Sequence, residues 1–109
     1  MAITYKILGQ VNPSANTLTT IYTTPAATQT VVSTITICNL GNVASQFSLA
    51  VRPAGASIAN SMYINYQTVI PGNDTIAVSI GLTLGNTDVL SCNVLTSTIA
   101  LSAFGAENT

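Results

Sequence analysis

Few side chains in this 109-residue chain could do acid–base, nucleophilic or metal chemistry: there is no histidine, two cysteines are present, and Lys6, Arg52, Asp74, Asp88 and Glu107 are the only charged residues. Without histidine the chain lacks the commonest general base, the usual activator of a nucleophile and the commonest zinc ligand. Two carboxylates suffice in principle for glycoside hydrolysis, and Asp74 and Asp88 both lie in turn sequences. Each also stands where a turn leading into a strand uses Asp to bond the local backbone, and this structural role outweighs the catalytic one. Cys38 and Cys92 make no C-x-x-C pair, and a calcium loop built on Asn73, Asp74 and turn carbonyls would be short of carboxylates. The glycines stand singly rather than in a phosphate-cradling pattern, and two cations neutralise too few phosphates to hold nucleic acid. No catalytic, cofactor-binding or metal-binding residue is therefore expected.

One patch has the chemistry of a ligand site. Tyr63, Asn65 and Tyr66 could present rings and an amide to a sugar, as the exposed faces of β-sandwiches often do. The preferred reading instead buries Tyr66 with Met62 and Ile64 and leaves Tyr63 as a strand residue or interface anchor. Asn73-Asp74-Thr75 matches a glycosylation acceptor but reads as part of a turn.

The elements that must carry these residues are strands. Runs rich in Ile, Val, Thr and Tyr alternate with period two and stop at Gly, Pro, Asn or Asp, and no helical period competes. The expected strands are Ile3 to Val11, Leu18 to Thr23, Gln29 to Asn39, a half-buried strand with Phe47, Leu49 and Val51 on its inner face, and Met62 to about Val69. Pro71-Gly72-Asn73-Asp74 is turn chemistry, with Pro presetting φ and Gly accepting a positive φ. Thr75 to Leu82 follows as one strand with Ile76, Val78, Ile80 and Leu82 on one face, then Asp88 to Leu95 and Ile99 to Phe104. About eight strands in one domain over residues 1–109 predict an antiparallel β-sandwich of Greek-key or jelly-roll type.

Apolar residues make up 48% of the chain, enough for a real core, yet no run approaches the roughly 18 apolar residues of a membrane helix. The N-terminus shows no secretion signal, so a cytoplasmic origin with reduced thiols is expected. Strand phase agrees: Cys92 falls in step with Leu90 and Val94, whereas Cys38 falls in step with Thr34 and Thr36, so the two are not expected to pair. A free-standing domain commonly has a quarter or more of its surface charged. Here Thr, Ser, Asn and Gln take that place, which suits a surface that spends its life inside an assembly, where each buried charge would need a partner.

The segments Tyr5-Lys6-Ile7-Leu8-Gly9-Gln10, Ile21-Tyr22-Thr23-Thr24-Pro25, Arg52-Pro53-Ala54-Gly55-Ala56, Ile70-Pro71-Gly72-Asn73-Asp74 and Ala103-Phe104-Gly105-Ala106-Glu107 together resemble small virion structural proteins of tailed bacteriophages, particularly those of cyanobacteria. The resemblance implies a non-enzymatic protein present in many copies on the virion, assembled in the host cytoplasm. It would be a head decoration or cement protein that associates with itself, as a trimer, and with the major capsid protein to stabilise the shell. The alternatives are a tail, baseplate or fibre component, or an adhesion module binding host polysaccharide. Candidate interface residues are Tyr5, Lys6, Arg52, Tyr63 and Phe104. Tyr5 and Phe104 have the core as their alternative, and Lys6 and Arg52 have plain solvation.

Overall fold

The computed structural model describes residues 2–109. Its strands are β1 (Ile3–Val11), β2 (Thr19–Thr23), β3 (Gln29–Asn39), β4 (Ser45–Arg52), β5 (Tyr63–Ile70), β6 (Thr75–Val78), β7 (Leu82–Leu84), β8 (Val89–Val94) and β9 (Ile99–Asn108). Two single 3-10 turns, Pro53–Gly55 and Asn60–Met62, lie between β4 and β5. β1 and β3 keep the bounds that alternation predicts. β9 runs on past Phe104 to Asn108 because β1 and β3 pair with it on either side along that length.

The strands form two antiparallel sheets, one ordered β1-β9-β3-β6 with β7 also on β3, the other β2-β8-β4-β5. β6 and β7 lie end to end along β3, at Ile35–Cys38 and Thr30–Val32, and together make one edge. Chain-first then pairs with chain-last, β2 with β8, β3 with β6 and β7, and β4 with β5, so a long antiparallel ribbon is rolled on itself. This is a jelly roll, one of the two sandwich types expected.

Between the sheets lies one apolar cluster in which Ile35, Ile37, Leu101 and Ala103 of the first sheet meet Phe47, Leu49, Leu90 and Val94 of the second. Cys92 joins it, whereas Cys38 alternates with the buried Ile37 and Asn39 and is only partly covered. The two thiols therefore belong to opposite sheets and opposite phases.

Three expectations need correction. The strand Thr75 to Leu82 is broken at Ser79–Gly81, where Gly81 takes φ +62° and Ile80 turns outward to 54% exposure. Between its two pairings β3 advances from Val32 to Ile35 while the edge spends one residue more, from Val78 to Leu82, so the break takes up a bulge. β4 is buried on both faces at Phe47–Ala50: on the outer face the Gln67 N–H donates to Ser48 Oγ, and the Arg52 side chain bonds Ser91, the cross-strand partner of Ala50. In the turn at Pro71 the positive φ belongs to Asn73, at +54°, not to Gly72. Gly72 is required for closeness instead: a Cβ there would stand 2.4 Å from the backbone of Asn42.

Asn39, buried at the end of β3, ties that end together. Its amide nitrogen donates to the carbonyl of Val43 at 2.9 Å, and its oxygen accepts from the Gly41 N–H and the Thr98 hydroxyl, each at 3.0 Å.

Candidate functional site

Register decides what each sheet shows on its outer face. In the first sheet Tyr5, Ala106, Val31 and Thr83 stand in one row across β1, β9, β3 and β7, with Ile3, Asn108 and Gln29 in the next outward row. Side chains alternate along a strand, so Ile7 and Phe104 share this face. Ile3, Tyr5, Ile7 and Val31 are all exposed, Tyr5 at 83%. The small Ala106 sits between Tyr5 and Val31, and the result is an open apolar groove of about 750 Å³ floored by Ala106 and walled by Ile3, Tyr5, Val31 and Phe104. Bulges at Leu8 in β1 and Ser33 in β3, beside the break between β6 and β7, bend the sheet at this level. Exposed contiguous apolar surface of this kind is uncommon on monomeric soluble proteins.

Two of the five residues singled out by sequence, Tyr5 and Phe104, therefore line one groove, and neither is in the core. Lys6 stands at its edge, with Nζ 3.3 Å from Glu107 Oε1. Glu107 is turned inward, and its other oxygen accepts the Tyr22 hydroxyl, which also lies 2.9 Å from Thr30 Oγ1. The Tyr22 hydrogen bond, then Lys6, hold the Glu107 carboxyl below the usual carboxylate value, while burial and Glu107 push the Tyr22 phenol up to about 12. This is a structural clasp: an inward acid held by a phenol and a lysine closes the end of the sandwich.

Arg52 and Tyr63 lie on the other sheet. Arg52 Nε donates to Ser91 Oγ at 3.0 Å, and one terminal nitrogen reaches the carbonyls of Gly55 and Ala56 at 3.4 and 3.3 Å, so the guanidinium is spent on its own fold. Tyr63 packs edge-on against Tyr66, with ring centroids 4.9 Å apart. The expected burial of Tyr66 is overturned: it is 62% exposed, because the register between β4 and β5 shifts twice and takes Tyr66 out of step with the core-packed Ile64. Asn65 leaves the patch, since it pairs opposite Leu49 and its amide donates to Thr68 Oγ1 at 3.5 Å.

The carboxylates weighed for hydrolysis do turn work. Asp74 Oδ1 accepts the Thr75 N–H at 2.8 Å, and Asp88 accepts the N–H groups of Ala54 and Gly85 at 2.9 and 2.8 Å. They serve opposite ends of β3: the Asp74 carbonyl accepts the Asn39 N–H, and Asp88 closes the turn beyond Leu84, which pairs with Thr30. The length of β3 between those points is about 30 Å at ~3.3 Å per residue, far beyond the roughly 5 to 10 Å of a glycosidase pair. Among the described residues no three His, Cys, Asp or Glu side chains gather as metal ligands would, and no helix is long and apolar enough to cross a membrane.

The buried Asn39 carries the densest side-chain bonding, the inward Glu107 joins Lys6 to Tyr22, and neither stood out in the sequence. Period-two alternation from Ala103 hinted at Glu107, which falls in phase with buried Leu101 and Ala103. No protein-family model matches the chain, and no curated protein matches it.

Proposed function

We propose that the chain is a non-enzymatic structural protein of a tailed-phage virion, a head decoration or cement protein that associates with itself as a trimer and bridges neighbouring major capsid subunits. The apolar groove on the outer face of the first sheet carries this reading. It holds a projecting ring, Tyr5, beside a trough floored by Ala106. A projecting ring beside a trough on every copy gives this face a shape that a neighbouring copy can engage. Five charged residues leave little to keep copies apart, and among the described residues the one cation at the groove, Lys6, is paired with Glu107.

The jelly roll supports the reading as an architecture used in viral shells, though the fold also serves lectins and enzymes and carries no function by itself. The segments that resemble virion proteins include Tyr5 to Gln10 and Ala103 to Glu107, which lie in two of the strands that build the groove. A cement protein works through area and shape complementarity, about 800 Å² per partner for a stable contact. It needs no reactive centre.

The test is to add purified protein to capsids lacking it and image them by cryo-electron microscopy. Ordered density between capsomers, with the groove facing a neighbour, is the expected result. A bare shell with the protein bound to tails would overturn the head assignment, and a groove left open to solvent in the bound state would overturn the interface.

A further inference from the structure

The outer face of the second sheet is built on a different plan. Between Phe47 and Ala50 of β4 the pairing with β5 shifts register twice, and Gln67 takes φ +51°, a left-handed conformation uncommon for a side chain larger than glycine. The Gln67 N–H donates to Ser48 Oγ at 2.9 Å and pins that conformation. Bulges re-aim side chains, and strained backbone concentrates at ligand clamps. Here the effect is to bring Tyr63 and Tyr66, three residues apart, edge to face over a cleft of about 150 Å³.

The lining of that cleft is specific in character. Beside the two tyrosines it presents the residues Asn16, Gln46, Gln67 and Asn93 together with Ser48, and no charged residue. None of these four amide side chains makes a hydrogen bond to another described residue, so four donor and acceptor pairs remain unspent around one small space. An anion would find no cation there, and an apolar ligand would strip water from the amides without replacing its hydrogen bonds. The fitting ligand is neutral, carries several hydroxyls and has an apolar face to lay against a ring. The volume equals about five waters at ~30 Å³ each, the size of a single sugar ring.

We propose that this cleft binds a neutral saccharide, one ring resting on the Tyr63 and Tyr66 pair with its hydroxyls bonded to the amides of Gln46, Gln67 and Asn93. The site lies on the opposite sheet from the apolar groove and stands independently of the self-association reading. One ring in an open cleft gives weak binding, with Kd of about 1 mM, and longer glycans or many copies raise it by avidity.

Saturation-transfer NMR and titration test this with glucose, galactose, mannose, N-acetylglucosamine and their short β-linked oligomers as probes at about 10 mM. Transfer to at least one probe is expected. Tyr66→Ala and Asn93→Ala should each weaken it about tenfold, and Tyr5→Ala on the far face should leave it unchanged. Thermal melts check that the variants fold, which the exposure of Tyr66 favours. No transfer to any probe, or binding kept in full by both cleft variants, overturns the proposal.

Discussion

The two outer faces of this sandwich draw on similar residues and come out as opposites. On the five-stranded sheet the rows through Tyr5 and Ile3 hold register from β1 across β9 to β3, and the apolar side chains that alternate outward stay adjacent. On the four-stranded sheet the register slips between β2 and β8 and twice between β4 and β5, and the outward side chains are Ser48, Ser91 and Asn93, with Arg52 bonded across Ser91. Both sheets carry bulges, and the difference lies in where they fall: at Leu8 and Ser33 they spare the rows through Tyr5 and Ile3, whereas the double shift between β4 and β5 falls among the residues that line the cleft. The apolar groove and the polar cleft thus lie on different sheets.

The sharpest way to break that contrast is to place a charge on each face. Tyr5→Asp should weaken self-association at least 100-fold, about 3 kcal/mol, because an acid in a desolvated contact has no partner there. Tyr66→Asp should leave association as it is. Sedimentation velocity over a concentration series decides it, and equal effects of the two variants would mean that the groove is not the contact.

The second contrast is chemical. Tyr22 and Cys92 of the four-stranded sheet both point between the sheets, and burial raises the phenol from 10.0 and the thiol from 9.0 to about 12 each. Both groups hold their protons more tightly folded than unfolded, so the stability they contribute is whole below pH 9 and is lost as pH climbs towards 12. The melting temperature should fall steadily over that range, ever more steeply once both groups titrate. Cys92→Ala should delay the onset by about one pH unit, to where the tyrosine alone titrates.

Acid acts on the other sheet. The folded value of Glu107 lies below the ordinary 4.5, so its contribution is whole above that pH and is lost as pH falls through the folded value. Glu107→Gln should cost about 1.5 kcal/mol at neutral pH, since the Tyr22 hydroxyl then meets a neutral acceptor. The variant should also show a flatter acid limb in a series of urea titrations. An acid limb as steep as the parent's would place the titrating group elsewhere.

How much of this was legible in the sequence follows from what each feature depends on. β1 and β3 could be bounded to the residue because alternation and turn residues are local signals, and the phases of Cys38 and Cys92 follow from the same count. Tyr5 and Phe104 were visible as candidates, but that they share a groove depends on the pairing Ile7↔Phe104 and on Ala106 lying opposite Tyr5, which is register between chain ends. The bulges that expose Tyr66 and break the strand at Gly81 were not legible, since an extra residue appears only when the partner strand is known. Glu107 was missed for a related reason, since Tyr22 and Lys6 are distant in sequence, and Asn39 because Thr98, which completes its local bonds to Gly41 and Val43, is distant too.

The smallest expected effect lies where the two sheets are joined. The turn from β7 to β8 holds Thr87 at φ +66°, a conformation that costs a β-branched residue about 1 to 2 kcal/mol. Asp88 maintains it, accepting the Gly85 N–H at 2.8 Å and the N–H of Ala54, itself at φ +51°, at 2.9 Å. Thr87→Gly removes the steric cost but loosens the unfolded chain, so the net gain should be about 1 kcal/mol. Chemical denaturation measures it directly. A gain confined to stability, with groove association and cleft binding both unchanged, would show that the connection holds the two faces together without tuning either, and a change in one face alone would reveal which sheet it braces.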